Sequence, residues 1–145
     1  MKSFESLADW QIVRQSETHT LGFVPTMGAL HQGHLSLIRR SLKETQKTVV
    51  SIFVNPTQFS DSNDLQNYPR PLAKDIELLR REGVNYLLLP TYPELYADGY
   101  RFQVHESATS KILCGQHRPG HFTGVLTVVM KLLNIVQANK AYFGE

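Results

Sequence analysis

Thr20-Leu21-Gly22-Phe23-Val24-Pro25-Thr26-Met27-Gly28-Ala29-Leu30-His31-Gln32-Gly33-His34 opens on an apolar run and closes on two histidines. Residues 20–25 read as a short buried strand, and 26–34 as a turn-rich link. Leu35, Ile38 and Leu42 then recur at i, i+3 and i+7, the inward stripe of a helix. Arg39, Arg40, Lys43 and Glu44 form its wet face. Strand, polar link and amphipathic helix, in that order, begin an alternating α/β pattern.

Outward from this stretch the alternation continues. Residues 49–54 (Val-Val-Ser-Ile-Phe-Val) are a second strand, mostly apolar on both sides, as in a parallel sheet covered on both faces. Residues 55–71 are polar and proline-bearing, a long loop of the kind that is usually functional or disordered in a compact domain. A helix over 71–82 turns Leu72, Ile76 and Leu79 one way, and Gly83 stops it. Residues 84–89 form a third strand, ended by Pro90. Residues 102–105 read as a weaker edge strand, and 113–124 as a loop. Residues 125–136 are apolar nearly all round, a helix buried on most sides. Residues 141–143 make a last short strand. Upstream, Phe4, Leu7, Ala8 and Ile12 predict a helix over 4–15. The order predicts one α/β domain over 1–145, a Rossmann-like doubly wound parallel sheet. Ligands in such sheets sit beyond the carboxyl ends of the strands, so 26–34, 55–71 and 144–145 are expected to share a crevice.

Bulk properties narrow the function. At 145 residues the chain can bury a core without staples. Its 41% apolar and 19% charged content is that of an ordinary globular domain. The net charge is +2 and no Lys/Arg run exceeds a pair, so neither nucleic acid nor an acidic membrane is indicated as partner. The lone Cys114 excludes an intrachain disulfide. It reads as a small thiol in a reducing compartment, or as a reactive one beside His117 and His121. With no signal-peptide core and no long apolar run, the expected location is the cytoplasm.

Three constellations carry candidate chemistry. His31 and His34 stand three apart at a helix start, where unpaired N–H groups and the helix dipole favour anions. Gly28 and Gly33 leave room for a bulky anion against the backbone, so a nucleotide triphosphate fits. The alternatives are surface or capping histidines, or a metal pair, for which no neighbouring Cys or carboxylate supplies a third ligand. Asn55 and Gln58 offer uncharged donors and acceptors for a substrate with hydroxyls and a carboxylate, with Phe59 as a wall; the alternative is an Asn-Pro turn with a solvated Gln. Before the last helix, Arg118 and His121 read as a lid delivering charge to an anion, or as part of a glycine-rich surface turn. Arg70 either reaches a phosphate or pairs locally. Asp75 is a weak candidate for magnesium, or else a solvated acid on a helix dipole.

Together these pieces resemble the pantothenate synthetase family. Pro25 to His34 is similar to its signature. Val54-Asn55-Pro56-Thr57-Gln58-Phe59, Tyr68-Pro69-Arg70, Arg118 to Val125 and Phe143-Gly144-Glu145 resemble further family motifs, in the family's order. The His-x-Gly-His piece alone is shared with other HIGH-motif nucleotidylyltransferases. The resemblance implies a ligase of pantothenate biosynthesis. Pantoate attacks the α-phosphate of ATP, pyrophosphate leaves, and the amine of β-alanine attacks the resulting pantoyl adenylate, giving pantothenate and AMP. It implies Mg2+ with the ATP, and a homodimer. Carried over by motif, Met27, Gly28, Ala29, Leu30, His31, Gln32, Gly33 and His34 contact ATP, as do Gly144 and Glu145. His34 is the family's proton donor, and His31 is carried over with it as a catalytic residue. Pro25, Thr26, Asn55, Gln58 and His121 belong to the pantoate and β-alanine site. The family continues past Phe-Gly-Glu into a C-terminal domain, so the sequence reads as a fragment, expected to be inactive by itself. The rival readings are another HIGH-motif adenylyltransferase and a non-catalytic nucleotide-binding module.

Overall fold

In the computed structural model of the chain, the structure describes residues 1–108 and 120–144. Strands β1 (Lys2–Phe4), β2 (Leu21–Thr26), β3 (Lys47–Ile52), β4 (Tyr86–Leu88) and β5 (Lys140–Ala141) form one sheet in the order β1-β4-β3-β2-β5. Every pairing is parallel. Phe23 lies opposite Val49, and Val24 opposite Val50. Alternate residues therefore feed two cores. Phe23, Val49 and Leu88 pack under helices α1 (Leu7–Ser16) and α6 (His121–Val136), with Trp10, Val128 and Leu132. Val24, Val50 and Leu87 pack under α2 (Gln32–Glu44) and α4 (Leu72–Glu82), with Leu35, Ile38 and Leu79. Both faces being covered fits the mostly apolar character of the stretch read as a strand over 49–54, although the strand itself begins earlier, at Lys47, and ends at Ile52. Each large side chain buried this way contributes roughly 1.5–3 kcal/mol.

The winding direction reverses at β2. β3 and β4 lie on one side of it and β5 on the other. The carboxyl ends of β2, β3 and β5 thus bound the crevice where an open α/β sheet takes its ligand. Trp10 secures α1 against α6: its indole N–H donates to the Ile135 carbonyl at 3.1 Å, and its ring meets Phe4 and Tyr86 edge-on. Arg14 closes the end of α6 through the carbonyls of Val136 and Gln137.

Several expected elements are corrected. The helix expected over 4–15 begins at Leu7, with Ser6 as N-cap accepting from the Asp9 N–H, and residues before it form β1. Such a short strand has no period to detect. Residues 102–105 form no strand. The Val104 N–H donates to the Thr127 hydroxyl of α6 rather than to a strand, and Phe102 is 77% exposed. The loop over 55–71 holds a 3-10 turn (Pro56–Gln58) and helix α3 (Ser62–Asn67). A one-turn helix α5 (Tyr92–Leu95) follows β4. Helix α6 starts at His121 rather than 125 and leaves Met130 48% exposed, so one side of it is open. Strand β5 is shorter and one residue earlier than expected.

Candidate active site

Past β2 the chain bends twice into the left-handed region, at Gly28 (φ 78°) and Ala29 (φ 51°). Ala29 tolerates this poorly by itself, since its Cβ crowds the backbone there. The turn is held from both sides. The Thr26 hydroxyl accepts from the Gly28 N–H at 3.1 Å and donates to the Ser51 carbonyl at 2.8 Å. Asp75, in the first turn of α4, accepts the Ala29 and Leu30 N–H groups at 2.8 and 2.9 Å. Asp75 is 2% exposed, so the expectation of a solvated acid is overturned. Both its oxygens are engaged by backbone donors. Among the described residues, no three His, Cys, Asp or Glu side chains converge as a metal site.

His31 is the N-cap of α2. Its Nδ1 accepts from the Gly33 N–H at 3.1 Å, and the Nδ1 of His34 accepts from the His31 N–H at 3.2 Å. This is a capping box built from two imidazoles. A backbone N–H can only donate, so each Nδ1 carries a lone pair and each neutral ring carries its proton on Nε2. The rings lie 4.1 Å apart between centroids. Capping and anion binding, alternatives in the sequence, are compatible: capping fixes two Nε2–H donors. The same tautomers leave no Nε2 lone pair for a metal. Burial pulls the His34 pKa below the usual histidine value, and nearby His31 pulls it further, against an opposing pull from Asp75. His34 is therefore neutral at pH 7. The backbone donors of 28–31 and 33 are spent inside the protein, so this stretch offers its side chains outward.

The second half of the site is a chain of amides. Asn55 is 1% exposed. Its Oδ1 accepts from the Thr57 N–H, the Thr57 hydroxyl and, at 2.7 Å, the Tyr96 hydroxyl. Its Nδ2 donates to the Gly124 carbonyl and to Gln58 Oε1, both at 3.1 Å. The Thr57 N–H and the Gly124 C=O each permit one polarity, so the Asn55 amide can face only one way. Gln58 is fixed in turn, with Oε1 inward and Nε2 without a hydrogen-bond partner among the described residues. Asn55 has no capacity left for a ligand; it orients Gln58. His121, at the start of α6, donates from Nδ1 to the Gln58 carbonyl at 2.8 Å. Gly124 lies so close that a Cβ there would come within 2.6 Å of the Thr57 carbonyl oxygen.

Thr26, Met27 and His34 from one half, and Gln58 and Tyr68 from the other, line one cavity of about 260 Å³. Its apolar wall includes Val128 and Leu132 of α6 and Phe143 after β5. The stretches 26–34 and 55–71 thus share the crevice as expected.

A family model described as pantoate–β-alanine ligase matches residues 1–145. The chain belongs to the pantoate–β-alanine ligase family. It is 51% identical to the pantothenate synthetase of Bdellovibrio bacteriovorus over 97% of this chain and 56% of that protein. It is 50% identical to that of Legionella pneumophila over 100% of this chain and 58% of the relative. Among solved structures it is similar to the Francisella tularensis pantoate–β-alanine ligase, complexed with beta-gamma ATP and β-alanine, with a TM-score of 0.94 and 43% identity. That match covers 98% of this chain and 56% of the other. The Thermus thermophilus pantothenate synthetase matches with a TM-score of 0.91 and 42% identity, over 100% of this chain and 52% of that one. The chain therefore spans just over half the length of these relatives.

In this member of the pantoate–β-alanine ligase family, several expected site residues stand apart from the cavity. His31 is exposed and meets it only through His34. Phe59 packs edge-on against Tyr68, and Tyr68 is the cavity wall. Arg70 donates to the carbonyls of Tyr68 and Leu65, the local alternative. Pro25 lines the cavity, and Gly144 follows Phe143 at its rim. Cys114, His117, Arg118 and Glu145 lie outside the described residues. Tyr96, the Asp75 clamp and the α6 wall were missed. No spacing in the sequence says which face of α6 meets β2, or that an acid in α4 reaches back to residue 29.

Proposed function

We propose that this chain is the nucleotide-binding half of an enzyme that condenses (R)-pantoate with β-alanine at the expense of ATP. The observation that carries it is the meeting of His34 and Gln58 on one cavity. A carboxylate oxygen of pantoate attacks the α-phosphorus of ATP, and the bond to the bridging oxygen of pyrophosphate breaks. The β-alanine nitrogen then attacks the acyl carbon of the pantoyl adenylate, AMP leaves with the bonding pair, and the amine proton is lost. Gln58 Nε2 supplies donors to a carboxylate or hydroxyl oxygen of pantoate, beside an apolar wall suited to its methyl groups. The Nε2–H groups of His34 and His31 stabilise charge growing on the phosphates during in-line displacement. His34 is neutral before ATP binds, so hydrogen bonding rather than proton donation is its part.

Magnesium is taken to accompany the ATP. Turnover is assigned to the complete protein, with this half inactive or nearly so alone, working as a cytoplasmic homodimer. No helix among the described residues is long and apolar enough to cross a membrane. The test is pantoate-dependent exchange of labelled pyrophosphate into ATP by the complete protein. Exchange is expected only with pantoate present. In the same assay His34→Ala is expected to slow adenylate formation by roughly 10²–10³-fold, the scale of one lost transition-state donor. Exchange without pantoate would sink the proposed substrate, and an effect of His34→Ala under threefold would sink its role.

A further inference from the structure

We propose that Asp75 is the positioning residue of the nucleotide loop, an internal anion seated where a ligand's phosphate would otherwise bind. The proposal rests on the reading of residues 27–34 as the nucleotide site. Successive N–H groups in a left-handed turn form an anion-binding concavity. Here those of Ala29 and Leu30 converge on the two oxygens of one carboxylate, at 2.8 and 2.9 Å. The carboxylate is 2% exposed and arrives from α4, 45 residues further along the chain. A Cβ on Gly28 would stand 3.0 Å from Asp75 Oδ2, so the loop closes tightly around the acid. Its charge is balanced by the two N–H groups and by the N-terminus of α4. A carboxylate so neutralised can sit near a triphosphate without repelling it strongly.

The chemistry requires a carboxylate rather than an amide. Two N–H donors need two acceptor oxygens, and an asparagine offers only one, setting its own NH2 against the other N–H. Ala29 is then released from a conformation that disfavours it, and the loop leading into His31 loses its fixed entry to α2. The donors His31 Nε2–H and His34 Nε2–H lose their aim, while the Asn55–Gln58 pair, held by Tyr96 and Gly124, is untouched. The effect of losing Asp75 is thus expected chiefly on the nucleotide.

The experiment uses Asp75→Asn and Asp75→Glu in the complete protein. For Asp75→Asn, KM for ATP is expected to rise at least tenfold while KM for pantoate stays within twofold. Deuterium uptake by peptides covering 27–34 is expected to quicken at least tenfold. Asp75→Glu keeps the charge but overfills the turn, and a smaller rise in KM for ATP is expected. It decides the matter if the asparagine variant fails to fold. Unchanged uptake over 27–34, or equal rises in both KM values, overturns the proposal. So does a shifted magnesium requirement with unchanged uptake, which would make Asp75 a metal ligand. If the wild-type protein makes no pantothenate, the functional reading fails on its own, and the uptake measurement still decides whether Asp75 holds the loop.

Discussion

His31 and His34 accept backbone N–H groups at Nδ1, whereas His121 donates from Nδ1 to a carbonyl. The first two thus carry their donors on Nε2, that of His34 at the cavity and that of His31 beside it, and a neutral His121 has its lone pair on Nε2. Protonating His34 puts a hydrogen on Nδ1 and breaks its half of the cap. The sign follows from its lowered pKa. Near pH 6.5 and below, the unfolded chain takes up this proton before the folded one, so stability falls as pH falls through that region. Urea denaturation at pH 7.5 and 5.5 is expected to show a smaller loss for His34→Gln, whose amide oxygen still accepts the His31 N–H without titrating. Equal losses would show that His34 does not contribute. Asn55→Asp is a second case. An oxygen replaces Nδ2 facing Gln58, so the Gln58 amide turns over and presents Oε1 to the cavity. We expect about 1–3 kcal/mol of pantoate recognition to be lost, roughly 5- to 150-fold in kcat/KM. An unchanged pantoate KM would refute this account of the amide.

Among the elements, the first turn of α6 and the 3-10 turn at Pro56–Gln58 behave as one body. His121 grips the Gln58 carbonyl, Asn55 reaches the Gly124 carbonyl, and the Gly124 Cα rests on the Thr57–Gln58 peptide. A Cβ at 124 would face backbone, which cannot rotate away. Gly124→Ala is expected to cost about 1–3 kcal/mol, the usual penalty for overpacking. It is also expected to raise KM for pantoate through displacement of Gln58. Denaturant midpoints together with substrate titrations would check both, and a stable variant with unaltered KM would show that the contact yields freely. The glycine was visible in its motif, but its reason was not, because residues 57 and 124 meet only once α6 is laid across β2.

For the whole molecule, function and stability sit at opposite ends of the sheet. The ligand crevice lies beyond the carboxyl ends of the strands. Near the amino ends, the Glu17 carboxylate, 5% exposed, accepts from the Tyr86 hydroxyl and from Lys47 Nζ. Tyr86 holds its pKa well below the usual carboxylate range, with His19 and Lys47 adding to the pull against burial. The stabilisation is thus complete above the unfolded value of about 4.5 and is lost as pH falls towards the folded one. Glu17→Gln is expected to lower the melting temperature at pH 7, with the gap to wild type narrowing below pH 4. A constant gap would remove charge from the explanation.

The amino-acid sequence by itself determined the alternation of strands and helices, the two-sided burial of β3, the stop at Gly83 and the histidine pair at a helix start. Each depends on neighbours within a few turns or on a period of two or 3.6 residues. Only the tertiary structure decided what long-range contacts decide. It set β1 at the far edge beside β4, turned 102–105 away from any strand, placed Asp75 beneath residue 29, and fixed which end of Gln58 faces the cavity. Hydrogen-bond polarity is a property of partners, and these partners lie up to 69 residues apart along the chain.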